Sequence, residues 1–250
     1  MHQIFVFLPC YNESGNIGTL IEEWLALDDT LKDAGYKLNV CGIDDKSTDD
    51  TKAIIASYAA KDKRVRLLAH KKNMNLGGGL RTAFCWFDMN GTDGDLCVVM
   101  DGDNTQDPVY ITSMLKKISL GADCVIASRY QKGAEVHGVP AHRLLLSDGA
   151  RAFYTLLLHV PKVRDYTCGY RVYRYEIIHE ARAHYGKRFV EMKTFSCMLE
   201  VLYKLYLIGA DFDEVPFSLR YDNKQGASKM RILKTVCDSF KTAFRLRCCK

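Results

Sequence analysis

Asp101-Gly102-Asp103 sets two carboxylates one residue apart, and Asp44-Asp45 sets two side by side. Carboxylate oxygens suit a hard divalent cation, Mg2+ or Mn2+, and such a cation bridges readily to a diphosphate. A solvated turn or a set of helix caps gives the same pattern. Ser47-Thr48-Asp49 reads as a cap, because short polar side chains satisfy the free amides of a helix start. Capping does not explain Asp44, Asp45, Asp101 and Asp103, whose like charges call for a cation or a donor-rich ligand. Asn75-Leu76-Gly77-Gly78-Gly79-Leu80-Arg81 is glycine-rich ahead of a helical pattern. It is open to two readings, a flexible loop or a phosphate cradle to which Gly77 and Arg81 would contribute. It has neither Walker A nor dinucleotide-fingerprint spacing. Arg129 is joined by Arg143 and Ser147, one helical turn apart, and Arg grips phosphate oxygens bidentately. Lys224 and Lys229, around Gly226, could add to a second anion site.

The elements that must position these residues alternate through the first half. Apolar runs predict strands at Ile4–Leu8, Lys37–Ile43, Val65–Ala69, Leu96–Met100 and Cys124–Ser128. Helical spacing predicts helices over about 16–27, 49–60, 80–89 and 108–119. This order implies right-handed crossovers and an α/β fold, a mainly parallel sheet with helices on both faces. Ligands then bind at the carboxyl ends of the strands, where Pro9 to Glu13, Asp44-Asp45 and Asp101 to Asp103 fall. The second half predicts helices over about 142–158, 176–184 and 195–208, a strand near 170–173 and an extended segment at 213–219. No linker or repeat divides the chain, which reads as one domain over 1–223 followed by a basic segment, 224–250.

The chain has 250 residues, 48% apolar and 26% charged, enough to bury a sizeable core. The longest apolar runs are far short of the ~18 residues a membrane span needs, and the start resembles no signal sequence. Ten Cys without a C-x-x-C pair read as reduced core thiols of a cytosolic protein, not as disulfides or a zinc site. The seven His are scattered and read as surface or packing residues. Residues 224–250 hold eight Lys or Arg against one acid, Asp238, while the rest carries 27 basic and 29 acidic side chains. That asymmetry argues against a nucleic-acid partner. From Lys229 to Arg247, Leu233, Val236, Cys237, Phe240 and Phe244 recur at helical spacing among basic residues. The pattern suits a basic amphipathic helix on an anionic membrane surface, or a helix docked on the core.

These pieces match a known family in order. LPCYNESGNI (8–17), IDDKSTDDT (43–51), NLGGGLRTAF (75–84), MDGDNTQDP (100–108), ASRY (127–130), Arg143 with Ser147, CGYRVYR (168–174), EVPFSLRY (214–221) and GASKM (226–230) span about 220 residues. As a set they resemble the family 2 glycosyltransferases of the GT-A fold, in particular the dolichol-phosphate mannose synthase branch that glycosylates polyprenyl phosphates. The resemblance implies that Pro9, Tyr11, Glu13, Asp44 and Asp45 hold the base and ribose of a nucleotide-sugar. It implies that Asp101 and Asp103 carry Mg2+ or Mn2+ on the diphosphate, and that Arg129, Arg143 and Ser147 bind the acceptor phosphate. It puts Lys229 in a loop that closes over the donor. Two departures stand out. The family's third metal ligand is often a Gln two positions after the second Asp, where this chain has Thr105 with Gln106 next. The family's Arg before the loop glycine is replaced by Asn223, leaving Arg220 and Lys224 nearby.

The implied activity is an inverting, metal-dependent transfer of a hexose from a GDP-mannose- or UDP-glucose-type donor to a polyprenyl or dolichyl phosphate. It would take place at the cytosolic membrane face, with a membrane-tethering subunit as a conceivable partner. Three rivals differ in their residues. A nucleotidylyltransferase would carry a glycine-rich first loop with Arg and Lys, which Pro9 to Glu13 lacks. A transferase to a saccharide hydroxyl would need a carboxylate base in place of the Arg129, Arg143 and Ser147 set. A degenerate, non-catalytic scaffold would not need Asp101 and Asp103.

Overall fold

The computed structural model describes residues 1–223 and 232–248. Its first half is a parallel sheet: β1 (His2–Cys10) lies between β2 (Tyr36–Asp44) and β4 (Leu96–Val99), with β3 (Val65–Ala69) outside β2. The crossovers are α1 (Ile17–Ala26) with the short α2 (Asp28–Asp33), then α3 (Thr51–Lys61) and α4 (Asn75–Asn90). Alternation along β1 explains the layering. Phe5 and Phe7 meet Trp86 of α4 at centroid distances of 5.2 and 5.8 Å, whereas Ile4, Val6 and Leu8 face the opposite side. All five are buried, as a strand covered on both faces requires.

The second half inserts a reversed strand. After α5 (Ile111–Ser119) and β5 (Cys124–Ser128) come the short β6 (Glu135–His137), α6 (Ala141–Leu158) and β7 (Arg171–Arg174). β7 runs antiparallel between β4 and β5, pairing Val99 with Arg171 and Ile126 with Arg171. The sequence reading placed a strand here without its direction. The direction matters: the entry to β7 lies at the carboxyl ends of β4 and β5, so residues 165–170 are delivered to that edge. α7 (Tyr175–Tyr185), α8 (Ser196–Leu207), β8 (Phe212–Pro216), β9 (Ser218–Arg220) and α9 (Ile232–Cys248) complete the fold. Among the described residues the main sheet has seven strands, ordered β3-β2-β1-β4-β7-β5-β8, and β6 pairs with β9 apart from it.

One expectation is corrected. The glycine-rich segment is not a loop ahead of a helix, because α4 starts at Asn75 and contains Gly77, Gly78 and Gly79. Each Gly weakens a helix by about 1 kcal/mol. The reason for one of them is packing, since a Cβ at Gly77 would lie 1.8 Å from the Met192 carbonyl oxygen. The basic C-terminal helix, for which both a membrane surface and the core were open, docks on the core. α9 packs on α6 and α8, with Thr242, Ala243 and Leu246 buried and the Phe240 ring 4.2 Å from Phe153. Among the described residues the cysteines are free thiols, as expected, and most are buried. Burial pushes the Cys41 and Cys124 thiols up to about 12. No helix among the described residues is long and apolar enough to cross a membrane.

Candidate active site

The end of β1 is stitched to the end of β2. The Asn12 amide donates to Ser47 Oγ (3.0 Å), while Asn12 Oδ1 accepts from the Thr48 amide (2.7 Å). Glu13 N–H donates to Thr51 Oγ1 at 2.7 Å, and Ser14 N–H to Asp49 Oδ2 at 3.1 Å. Asp49 also accepts from the Thr51 amide and hydroxyl, so of the expected capping segment only Asp49 meets an amide of α3, while Asp50 at its N-cap makes no side-chain capping bond. Burial opposes its ionisation, but the bonds from Thr51 and Ser14 outweigh that and bring its carboxyl down to about 2. This frame presents Pro9, the exposed ring of Tyr11, Glu13, Asp44 and Asp45 along one edge. Asp44 and Asp45 are 1% and 5% exposed: Ser47 N–H reaches Asp44 Oδ1 at 3.2 Å, while Asp45 Oδ1 accepts the Met74 N–H at 2.7 Å and lies 2.7 Å from His70 Nδ1.

Asp101 and Asp103 follow β4 on the same edge. Thr105 spends its hydroxyl on Asp103 Oδ1 (2.7 Å). Gln106, 4% exposed, sends its Nε2 to Asp101 Oδ2 at 3.2 Å, while its Oε1 is buried with no hydrogen-bond partner. Gly169 crosses so close that a Cβ there would lie 2.7 Å from Asp101 Oδ2. Two carboxylates with an unsatisfied amide oxygen beside them form an oxygen donor set that fits Mg2+ or Mn2+. Gln106, and not Thr105, is the residue that brings an amide oxygen beside Asp101.

Across the edge, Arg129 leaves β5 into a buried ion pair. Its Nε and Nη2 bond Asp165 Oδ2 and Oδ1 at 2.8 and 2.7 Å, and Nη2 also donates to Thr167 Oγ1 at 2.7 Å. Burial works against both charges. The pairing outweighs it, holding the Asp165 carboxyl low and the Arg129 guanidinium high. Glu214 fastens Asp165 from behind, its Oε1 accepting the amides of Arg164 and Asp165 at 2.7 Å each. Arg171, fully buried, donates to the carbonyls of Tyr166, Cys168 and Met198. Segment 165–169 therefore joins the partner of Arg129 to the glycine against Asp101. Four residue steps bound that separation to about 14 Å.

Ser147 is half-buried on α6, and one turn further Arg151 stacks over the Tyr130 ring at 4.6 Å, which brings that helix against the end of β5. The Arg143 side chain and Lys224 and Lys229 lie outside the described residues. Gly77 and Arg81 are differently employed than expected. The Gly77 amide donates to the Lys193 carbonyl (3.0 Å) and Arg81 Nη1 to the Val190 carbonyl (3.0 Å), so both bind the chain's own segment 190–193. That segment is fixed in turn by Glu200, which accepts the amides of Glu191 and Met192 at 2.8 Å. Asp165, Glu214, Arg171 and His70 are supporting residues that the sequence reading did not assign to the site. A cation between apolar and aromatic neighbours, as at Arg171, was the available signal; Asp165, set among Lys162, Arg164 and Thr167, gave none.

Acidic strand ends on one edge of a mainly parallel sheet, with a half-buried, ion-paired Arg across from them, suit anionic, nucleotide-like ligands. Residues 5–182 match the glycosyl transferase family 2, and the chain belongs to that family. It is a glycosyltransferase. It is 28% identical over 226 residues to the polyprenol monophosphomannose synthase of Mycolicibacterium smegmatis, covering 90% of this chain and 80% of that one. It is 28% identical over 249 residues to a dolichol-phosphate mannosyltransferase of Pyrococcus furiosus, covering 98% of this chain and 63% of that one. The fold matches glucosyl-3-phosphoglycerate synthase from Mycobacterium tuberculosis, solved with Mn2+, uridine diphosphate and phosphoglyceric acid. There the TM-score is 0.71 at 16% identity, covering 98% of this chain and 78% of that one. The architecture is accordingly of the GT-A type.

Proposed function

We propose that the chain transfers a hexose from a nucleotide-sugar to a polyprenyl phosphate, with inversion at the anomeric carbon. The observation that carries this is the pairing of an acidic, donor-side edge with a half-buried, permanently charged Arg129 on the acceptor side. The similarity to mannosyltransferases named for polyprenol, dolichol and undecaprenyl phosphates supports the acceptor class.

Pro9, Tyr11, Glu13, Asp44 and Asp45 receive the base and ribose. Asp101 and Asp103, with Gln106 beside them, hold Mg2+ or Mn2+, which when bound neutralises charge on the departing nucleoside diphosphate. Arg129 and Ser147, together with Arg143 and Lys229, orient the anionic groups. The acceptor is already an anion at neutral pH, so its oxygen needs no strong base. It forms the new bond to the anomeric carbon as the bond to the diphosphate breaks, and the electron pair leaves with the nucleotide. The protein supplies in-line positioning and a low-dielectric surrounding. Gly77 and Arg81 act indirectly, by fixing segment 190–193 against α4.

The membrane-facing surface in this reading is α6. It exposes Leu144, Leu145, Leu146 and Leu156 on the helix that carries Ser147, and Lys241, Arg245 and Arg247 of the neighbouring α9 supply basic charge. Buried reduced thiols support a cytosolic membrane face.

The test is transfer of label from a panel of nucleotide-sugars into polyprenyl phosphate in detergent, with Mn2+ or Mg2+ and with a chelator. Label in the lipid phase that the chelator abolishes supports the proposal. Metal-dependent transfer to a soluble saccharide hydroxyl alone would overturn the acceptor assignment.

A further inference from the structure

His70 turns inward directly after β3. Its Nδ1 lies 2.7 Å from Asp45 Oδ1 and its Nε2 lies 2.8 Å from Thr82 Oγ1 of α4. The side chains of His70 and Asp45 are only 9% and 7% exposed. Asp45 Oδ1 also accepts the Met74 amide, so two bonds of 2.7 Å converge on one oxygen. The backbone reinforces the arrangement: the His70 amide donates to the Asp44 carbonyl and the Asp45 amide to the Cys10 carbonyl, each at 2.9 Å. His70 is therefore no packing residue, contrary to the sequence reading.

A neutral imidazole carries one N–H, and an ionised carboxylate can only accept. His70 Nδ1–H therefore donates to Asp45, and in the neutral imidazole the Thr82 hydroxyl then donates to Nε2. Loading Oδ1 from behind fixes the plane of the carboxylate and leaves Oδ2 as the oxygen it offers forward. The same imidazole ties this strand end to α4.

We infer that His70 is a positioning residue for the donor nucleotide, holding Asp45 so that Oδ2 meets an N–H or O–H group of the base or ribose. This rests on the reading that Asp45 contacts the nucleotide, and the experiment separates the two.

UDP and GDP binding with Mn2+ would be measured by calorimetry for the full chain and for Asp45→Asn, His70→Phe, His70→Asn and Thr82→Val, with thermal melts of each. Long-range 15N–1H correlation would identify the His70 tautomer in the unsubstituted chain. Asp45→Asn should weaken the preferred nucleotide most. His70→Phe should weaken it about tenfold, the scale of one hydrogen bond to a charged group, and His70→Asn, which keeps a side-chain donor, should recover most of the loss. Thr82→Val should weaken it less, and the lipid-acceptor KM should not move in any of them. The signal should show a protonated Nδ1 that shifts when nucleotide is added. Weak binding by Asp45→Asn with unchanged binding by His70→Phe overturns the inference alone, and so does an Nε2–H tautomer. Unchanged binding by Asp45→Asn, or no binding of either nucleotide by the unsubstituted chain, overturns the nucleotide reading beneath it. Should His70→Phe fail to fold, Thr82→Val and the tautomer decide the question.

Discussion

The two sides of the site hold their charges in opposite ways. On the proposed donor side, Asp44, Asp45 and Asp103 are steadied by amides, a hydroxyl and, for Asp45, the His70 imidazole. On the proposed acceptor side, Arg129 is locked to Asp165 with a second carboxylate, Glu214, fastened behind. The donor side sets Asp101 and Asp103 one residue apart with the buried Gln106 amide oxygen beside them, a donor set that suits a cation. The acceptor side commits most of one guanidinium to the fold and shows a fifth of its side chain to substrate. Substitutions should therefore act through binding on the first side and through stability on the second.

The largest expected effect is on the donor side. Asp103→Ala should lower transfer by about a thousandfold, as loss of electrostatic stabilisation of a leaving group does, and leave the melting temperature nearly unchanged. Chelation should do the same, with activity restored by Mn2+ or Mg2+. Asp165→Asn should behave the other way. It strands a buried cation at a cost of about 3–5 kcal/mol, which lowers the melting temperature by roughly 10 °C. Should Asp165→Asn melt like the unsubstituted chain, the contrast between the two sides would be lost. Gly77→Ala comes next, since its methyl would press on the Met192 carbonyl. About 2 kcal/mol of destabilisation is expected by denaturant melt, with segment 190–193 displaced.

How much of this was legible in the sequence follows from the physics of each signal. Apolar runs ending in acids located β1, β2, β4 and their carboxylates, because buried parallel strands must be apolar throughout. The direction of β7 was not legible, since a short apolar run has none. The start of α4 was misread because Gly disfavours helix in general, while Gly77 is needed by a backbone contact far along the chain. The docking of α9 could not be separated from membrane binding, as both demand one apolar face. Asp165 and His70 were missed because each works through tertiary partners far along the chain and leaves no periodic trace.

The smallest expected effect concerns acid stability. The Asp49 carboxyl sits below its ordinary value, so its contribution is present above about pH 4 and is lost as pH falls towards about 2. The group is largely open to solvent, so Asp49→Asn should reduce this acid sensitivity by only about a degree of melting temperature.

The most direct measurement is lipid transfer at subsaturating polyprenyl phosphate, paired with nucleotide binding in the presence of Mn2+, for the unsubstituted chain, Asp103→Ala and Ser147→Ala. Asp103→Ala should lose both metal-dependent nucleotide binding and transfer, and Ser147→Ala should lose transfer while binding nucleotide normally. Nucleotide binding weakened by Ser147→Ala, or transfer surviving in Asp103→Ala, would contradict a site divided into these two sides.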